Sequence, residues 1–176
     1  LLSFIDEKNT IKVYLTNDFT NRPEAKFSLY LMNFNGDRIE KFSEKIILPS
    51  SSSSKISEFQ IDQLTKNLDK TSVFLEGNIK IKNKCITKNQ YYFVKPKHLN
   101  LPDPRLDLKF ELKKNRYFLK IKAETFSHET HILCQNLHGY FSDNYFNINP
   151  GKSKLIEFFP IKKSKKKPIF YANSLF

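Results

Sequence analysis

Histidines, cysteines and carboxylates are the side chains of this 176-residue chain that could carry chemistry, and their spacing decides little in favour of it. His128, His131 and His138 lie close together, with Glu129 beside the first. A zinc-protease helix needs HExxH, which sets both histidines on one face a turn apart. The sequence here reads HETH, one residue too short, in a segment without helical periodicity. On a strand, positions 128 and 131 face opposite sides, so surface histidines are expected and no metal site. Cys85 and Cys134 fall in different halves of the chain. No internal bridge is expected from them, and a small scaffold held by disulfides is excluded.

One stretch, FSDNYFNINPG at 141–151, crowds aromatic rings against Ser142, Asp143, Asn144, Pro150 and Gly151. Asp143 and Asn144 suit hydrogen bonds to nearby backbone and tolerate a left-handed conformation. Phe141 and Phe146 are placed to bury rings on either side. Asn149-Pro150-Gly151 offers the fixed φ and the positive φ of a type II turn. The stretch reads as a corner that determines a fold and not as a ligand site. The end of the chain, SKKKPIFYANSLF, mixes lysines with rings, the pattern of single-strand nucleic-acid binders. The expectation is a last strand starting after Pro168, with Ile169, Phe170 and Tyr171 packed inward. Sugar-stacking rings, if present, would come from Tyr91, Tyr92, Phe93, Tyr117, Tyr140 and Tyr145, although Trp is absent and rings at alternating positions are usually core.

The elements that position these residues are strands. Ile11, Val13 and Leu15 alternate with polar neighbours, as do Phe27, Leu29 and Leu31. So do Gly77, Ile79 and Ile81, then Leu108, Phe110 and Leu112, then Tyr117, Leu119, Ile121 and Ala123. Period-two alternation of this kind puts one face in a core and one in water. Asn35-Gly36-Asp37 and Asn115 mark hairpin turns. The serine run 50–54 is a loop or strand edge, because alternation resumes at Ile56. The single helical candidate is short, around Gln60 to Lys66. An all-β fold of two tandem immunoglobulin-like β-sandwich domains follows. The connector VKPKHLNLPDPRL, residues 94–106, is rich in proline and divides the chain into domains 1–97 and 98–176.

Composition bounds the rest. Four glycines disfavour a nucleotide fold that needs a Gly-rich phosphate turn. No apolar run approaches the length of a membrane-crossing helix, and LLSFIDEKN lacks the basic start of a signal peptide. The chain does not begin with Met, and a piece cut from a longer protein is expected. The net charge of +12 is spread along the chain, apart from Lys162, Lys163, Lys165, Lys166 and Lys167. A spread surplus reads as a solvated surface, so neither a nucleic-acid nor a membrane partner is expected.

The phrase GYFSDNYFNINPGKSKLIEF, residues 139–158, resembles the C-terminal domain of β-mannosidases of glycoside hydrolase family 2. It keeps Phe141, Ser142, Asp143, Asn144, Phe146, Pro150 and Gly151 of the family's motif, and departs from it at Asn147 and Asn149. IKVYLTNDFTNRPEAKFSLYLMNFNGDRI is similar to the family's penultimate immunoglobulin-like domain, and YYFVKPKHLNLPDPRL to the junction between the two. The resemblance implies a non-catalytic accessory segment whose partners are the catalytic barrel and other domains of the same parent chain. Contact with oligosaccharide substrate would then come through the parent enzyme. The paired glutamates of such enzymes lie on a barrel of about 250 residues, more than this chain holds, so no catalytic residue and no cofactor is carried over. Enzymes of this type occur in periplasm, cytoplasm and lysosomes, which leaves the compartment open. The alternative reading is a free-standing carbohydrate-binding β-sandwich module.

Overall fold

The computed structural model describes residues 1–162 and 166–175; Lys163 and Lys165 of the basic run lie outside the described residues. The chain divides into two compact units, Leu1–Asn33 with Asp37–Leu99, and Phe34–Gly36 with Asn100–Phe176. Among the described residues no helix is long and apolar enough to cross a membrane.

The first unit contains β1 (Leu2–Glu7), β2 (Thr10–Asn17), β3 (Glu24–Asn33), β4 (Arg38–Ile47), β5 (Ser52–Gln60), α1 (Ile61–Thr65), β6 (Val73–Ile81) and β7 (Lys84–Tyr92). They form antiparallel sheets in the orders β1-β2-β5 and β4-β3-β6-β7. Ile11, Val13 and Leu15 of β2 meet Phe27, Leu29 and Leu31 of β3 and Leu75 and Ile79 of β6 in one apolar cluster. Burying a side chain of this size contributes about 1.5–3 kcal/mol, so these rows hold the sheets face to face. The serine run leads into β5 and supplies its first three residues, Ser52 to Ser54, at the edge of the sheet, where a strand buries few side chains. Tyr91 packs against this cluster, and its hydroxyl donates to Asp6 at 2.7 Å. Burial, and then the Asp6 carboxylate, push that hydroxyl's pKa up.

The second unit contains β8 (Asp107–Lys113), β9 (Arg116–Lys122), β10 (Ser127–Cys134), β11 (Gly139–Phe141), β12 (Phe146–Ile148), β13 (Ser153–Pro160) and β14 (Phe170–Leu175). Its sheets run β11-β13-β9-β8 and β12-β10-β14. Tyr117, Leu119 and Ile121 of β9 join Ile156 and Phe158 of β13, and Ile132, Phe146 and Ile148 from the other sheet. The all-β fold class expected from the sequence holds.

In three strand regions burial departs from the expected pattern, each for a positional reason. On β3 and β6, at the middle of their sheet, Ser28 and Asn78 face each other away from the core and are buried as well. On β8, an edge strand, Leu108 and Phe110 are half-buried and Leu112 is exposed. On β14, Phe170 and Ala172 point inward, and the Phe170 ring centroid lies 5.0 Å from Phe110 and 5.3 Å from Phe158. Its neighbours Ile169 and Tyr171 are exposed, which corrects the expectation that all three pack inward.

Three hairpins share one turn chemistry that the sequence reading did not single out as a set. Lys8-Asn9, Lys82-Asn83 and Lys114-Asn115 each link two strands, and all six residues have positive φ. Two consecutive left-handed residues make the type I′ turn that matches strand twist, and Asn is among the few side chains that tolerate it. Lysine tolerates it less well. Converting Lys114-Asn115 to Asn-Gly is expected to raise stability by about 0.5–1 kcal/mol, read as a higher denaturant midpoint at unchanged slope.

Candidate functional site

The chain's most motif-like stretch sits where the backbone leaves one sheet of the second unit and enters the other. β11 belongs to the first sheet and β12 to the second, and Ser142, Asp143, Asn144 and Tyr145 carry the crossing. Two of those side chains act as substitutes for backbone. Beyond the Phe141–Phe158 pair, the Ser142 N–H donates to the Glu157 carbonyl at 2.8 Å, and the Glu157 N–H donates to Ser142 Oγ at 2.9 Å. A hydroxyl thus extends the β11–β13 ladder after the chain has begun to turn. Beyond the Thr130–Phe146 pair, the Ile132 N–H donates to Asn144 Oδ1 at 2.8 Å, and Asn144 Nδ2 donates to the Ile132 carbonyl at 3.1 Å. A carboxamide offers the same donor and acceptor as a peptide group, so Asn144 adds a rung to the other sheet.

The neighbours serve the same corner. Asp143 accepts the Asn144 N–H at 2.8 Å and pairs with Lys154. The Lys154 ammonium lies over the buried Phe146 ring at 4.1 Å. Phe141 packs its ring 4.9 Å from Phe158. The left-handed residue is Tyr145, with φ of 58°, and neither Asp143 nor Asn144 has a positive φ. The Lys152 N–H closes a turn on the Asn149 carbonyl at 3.0 Å, with Pro150 and Gly151 at its centre and Gly151 at φ of 68°. A Cβ on Gly151 would meet no atom within 4 Å. Gly151→Ala is therefore expected to cost about 1 kcal/mol, the backbone penalty of a left-handed alanine alone, measured by chemical denaturation.

The histidines need a correction. His128 is only 6% exposed, where surface histidines were expected. The cause is a bulge: a step of three residues along β10, from His128 to His131, pairs with a step of two along β14, from Leu175 to Asn173. One extra residue breaks alternation, and Glu129 adopts a φ of 45°. The Glu129 N–H donates to Asn147 Oδ1 at 2.8 Å, and His128 Nδ1 lies 3.2 Å from the same oxygen. His131 instead stacks on Tyr145, and His138 is exposed. Among the described residues no three His, Cys, Asp or Glu side chains gather as a metal site. Cys85 and Cys134 are free thiols.

Of the rings named as sugar-stacking candidates, Tyr117 is core, and Tyr91, Tyr92 and Phe93 are half-buried. Tyr140 and Tyr145 stand out at 62% and 67% exposure. Tyr140 stacks on its cross-strand partner Phe159 at 4.8 Å, and the Arg116 guanidinium lies 5.0 Å from the Phe159 ring centroid. Leu155 is exposed on the same strand and the same face as Phe159. The sequence reading missed a cleft in the first unit, of about 640 Å³, whose rings are Phe42 and Phe59. The signal available was Glu40-Lys41-Phe42-Ser43-Glu44, where charges occupy positions that a packed strand would fill with apolar residues.

Comparison with known proteins places these geometries. Residues 9–98 match the Mannosidase Ig/CBM-like domain, and residues 101–173 match the Ig-fold domain of mannosidases. The chain is 27% identical over 161 residues to β-mannosidase A of Aspergillus terreus, covering 84% of this chain and 17% of that protein. In fold it is similar to the β-D-mannosidase of Dictyoglomus thermophilum, with a TM-score of 0.73 and 22% identity over 100% of this chain and 22% of that one. It is also similar to the exo-chitosanase of Amycolatopsis orientalis, with a TM-score of 0.66 and 10% identity over 98% of this chain and 25% of that one. The chain thus spans a quarter or less of the length of these relatives. By these matches the chain belongs to the mannosidase immunoglobulin-like domain family, a Mannosidase Ig/CBM-like domain followed by an Ig-fold domain, of the kind carried by β-mannosidases of glycoside hydrolase family 2.

Proposed function

We propose that this chain is a non-catalytic accessory segment from the C-terminal end of a β-mannosidase-like glycoside hydrolase. Residues 1–97 are its penultimate domain and residues 98–176 its last. The parent reaction is hydrolysis of terminal β-D-mannosyl residues, and these domains pack on the catalytic barrel and stabilise it. One observation carries the reading: two mannosidase domain types follow each other over nearly the whole chain, and together they fill only a minor part of a β-mannosidase. In this role the FSDN phrase is a structural staple, with Ser142 and Asn144 spent on backbone and not offered to a ligand.

The outward face of Tyr140, Leu155 and Phe159 is the surface we assign to the barrel contact, since the relatives carry several times the length of this chain.

The test is direct. The purified chain is expected to release no more product from an aryl β-mannoside than buffer does. Added in trans to a family 2 mannosidase barrel stripped of its last two domains, it is expected to raise the barrel's melting temperature. Leu155→Asp is expected to remove that gain and leave the chain's own melting unchanged. Turnover by the chain alone, or a barrel indifferent to it, sinks the reading.

A further inference from the structure

The cleft of the first unit lies on the open side of its sandwich, between the free edges of β4 and β5, with α1 beside it. Its origin is in the sequence of β4. Glu44, Phe42 and Glu40 pair across the strands with Phe27, Leu29 and Leu31, so they share the inward face. Carboxylates are costly to desolvate without a partner, and a strand that presents two of them inward cannot close onto the facing sheet. The floor is apolar, with Leu29 and Leu75 at the bottom. Above it, Phe42 and Phe59 meet edge to face at 5.2 Å.

The rim selects among occupants. Glu58 is paired with Lys55 at 2.7 Å, and Glu40 and Lys66 add one charge of each sign, so the charges at the mouth balance on a chain of +12. That balance favours neither an anion nor a cation. Gln60 and Gln63 add carboxamides, which donate and accept. Further along the same face, Glu44 Oε1 is shut off from solvent without a hydrogen-bond partner among the described residues, an acceptor in want of a donor. An acyl chain would leave these acceptors unanswered. A peptide strand added to β4 would meet Lys41 and Lys45 on that strand, and edge lysines are a device against such pairing.

We propose that this cleft binds a short neutral oligosaccharide, with pyranose C–H faces against Phe42 and Phe59 and hydroxyls hydrogen-bonded to Glu40, Glu58 and Gln63. The volume lies within the ordinary range of small-ligand sites. Binding here goes beyond the accessory role and needs no catalytic partner, so the chain alone displays it whether or not it docks on a barrel.

The experiment is an amide NMR titration of the whole chain with β-1,4-mannobiose and cellobiose, and with decanoate as an apolar control. Saturable shifts at millimolar sugar are expected, clustered on residues 40–44 and 58–66. Gln63→Ala, on the exposed rim, is expected to weaken binding about fivefold, the loss of one hydrogen bond, with unchanged thermal melting. Phe42→Ala is expected to weaken it at least about tenfold; where that variant also loosens the sandwich, Gln63→Ala decides. No saturable shift with either sugar overturns the proposal, as do shifts that map elsewhere, cleft shifts produced by decanoate alone, or full binding by Gln63→Ala.

Discussion

Phe158→Ala is expected to destabilise the second unit by about 3–5 kcal/mol, the usual cost of removing a buried ring and leaving the space unfilled. Phe158 is 1% exposed and sits at the middle of a ring cluster. Its centroid lies 4.9 Å from Phe141, 5.3 Å from Phe170 and 6.3 Å from Tyr117. Those partners come from β11, β14 and β9, so one ring ties both sheets together. A loss of that size compares with the whole stability of a small domain, about 5–15 kcal/mol. Calorimetry on the full chain is the suitable readout, because two units can melt separately. The transition of the second unit is expected to move down or vanish while that of the first stays in place. Phe158→Leu keeps most of the apolar volume and is expected to lose about half as much. If Phe158→Ala melts like the parent chain, the core is not organised around this ring.

Asn144→Ala is the second large effect, about 2–4 kcal/mol, and it comes from polarity and not from volume. The carboxamide answers both backbone groups of Ile132, a residue with no exposed surface. Truncation leaves a donor and an acceptor unmet inside the sandwich, and each unmet group costs about 1–3 kcal/mol. Asn144→Asp separates the two contributions. It keeps the acceptor for the Ile132 N–H and loses the donor to the Ile132 carbonyl, setting a charge against that oxygen. It is expected to be at least as damaging near neutral pH and to recover in part under mild acid, as the carboxyl gains a proton that it can donate. Hydrogen exchange at the Ile132 amide is the local readout: protection drops in Asn144→Ala and persists in Asn144→Asp. Equal exchange in all three proteins would show that the corner does not depend on this side chain.

Both effects bear on how the motif is understood. Ser142 and Asn144 each extend a different sheet by one rung, on either side of a residue that leaves the ladder. Asp143 between them is tied to Lys154, whose ammonium covers Phe146. The phrase is thus an instruction for crossing from sheet to sheet without orphaned backbone groups.

The amino-acid sequence by itself determined the all-β class, because apolar residues at every second position fit only a strand with one buried face. It determined the turn at Asn149-Pro150-Gly151, which follows from local φ preference, and it marked the short helix near Ile61. It also carried the family resemblance, in the residues of the FSDN phrase. The tertiary structure decided what depends on distant partners. Asn144 reaches Ile132, twelve residues away in the chain, and no local rule names that partner. The bulge in β10 that buries His128 is held by Asn147 from another strand. The exposure of Tyr171 and Ile169 beside an inward Phe170 was set by which face of β14 meets the ring cluster. The cleft between β4 and β5 needed both sheets in place, because only the pairing of β4 with β3 shows that Glu40 and Glu44 face inward.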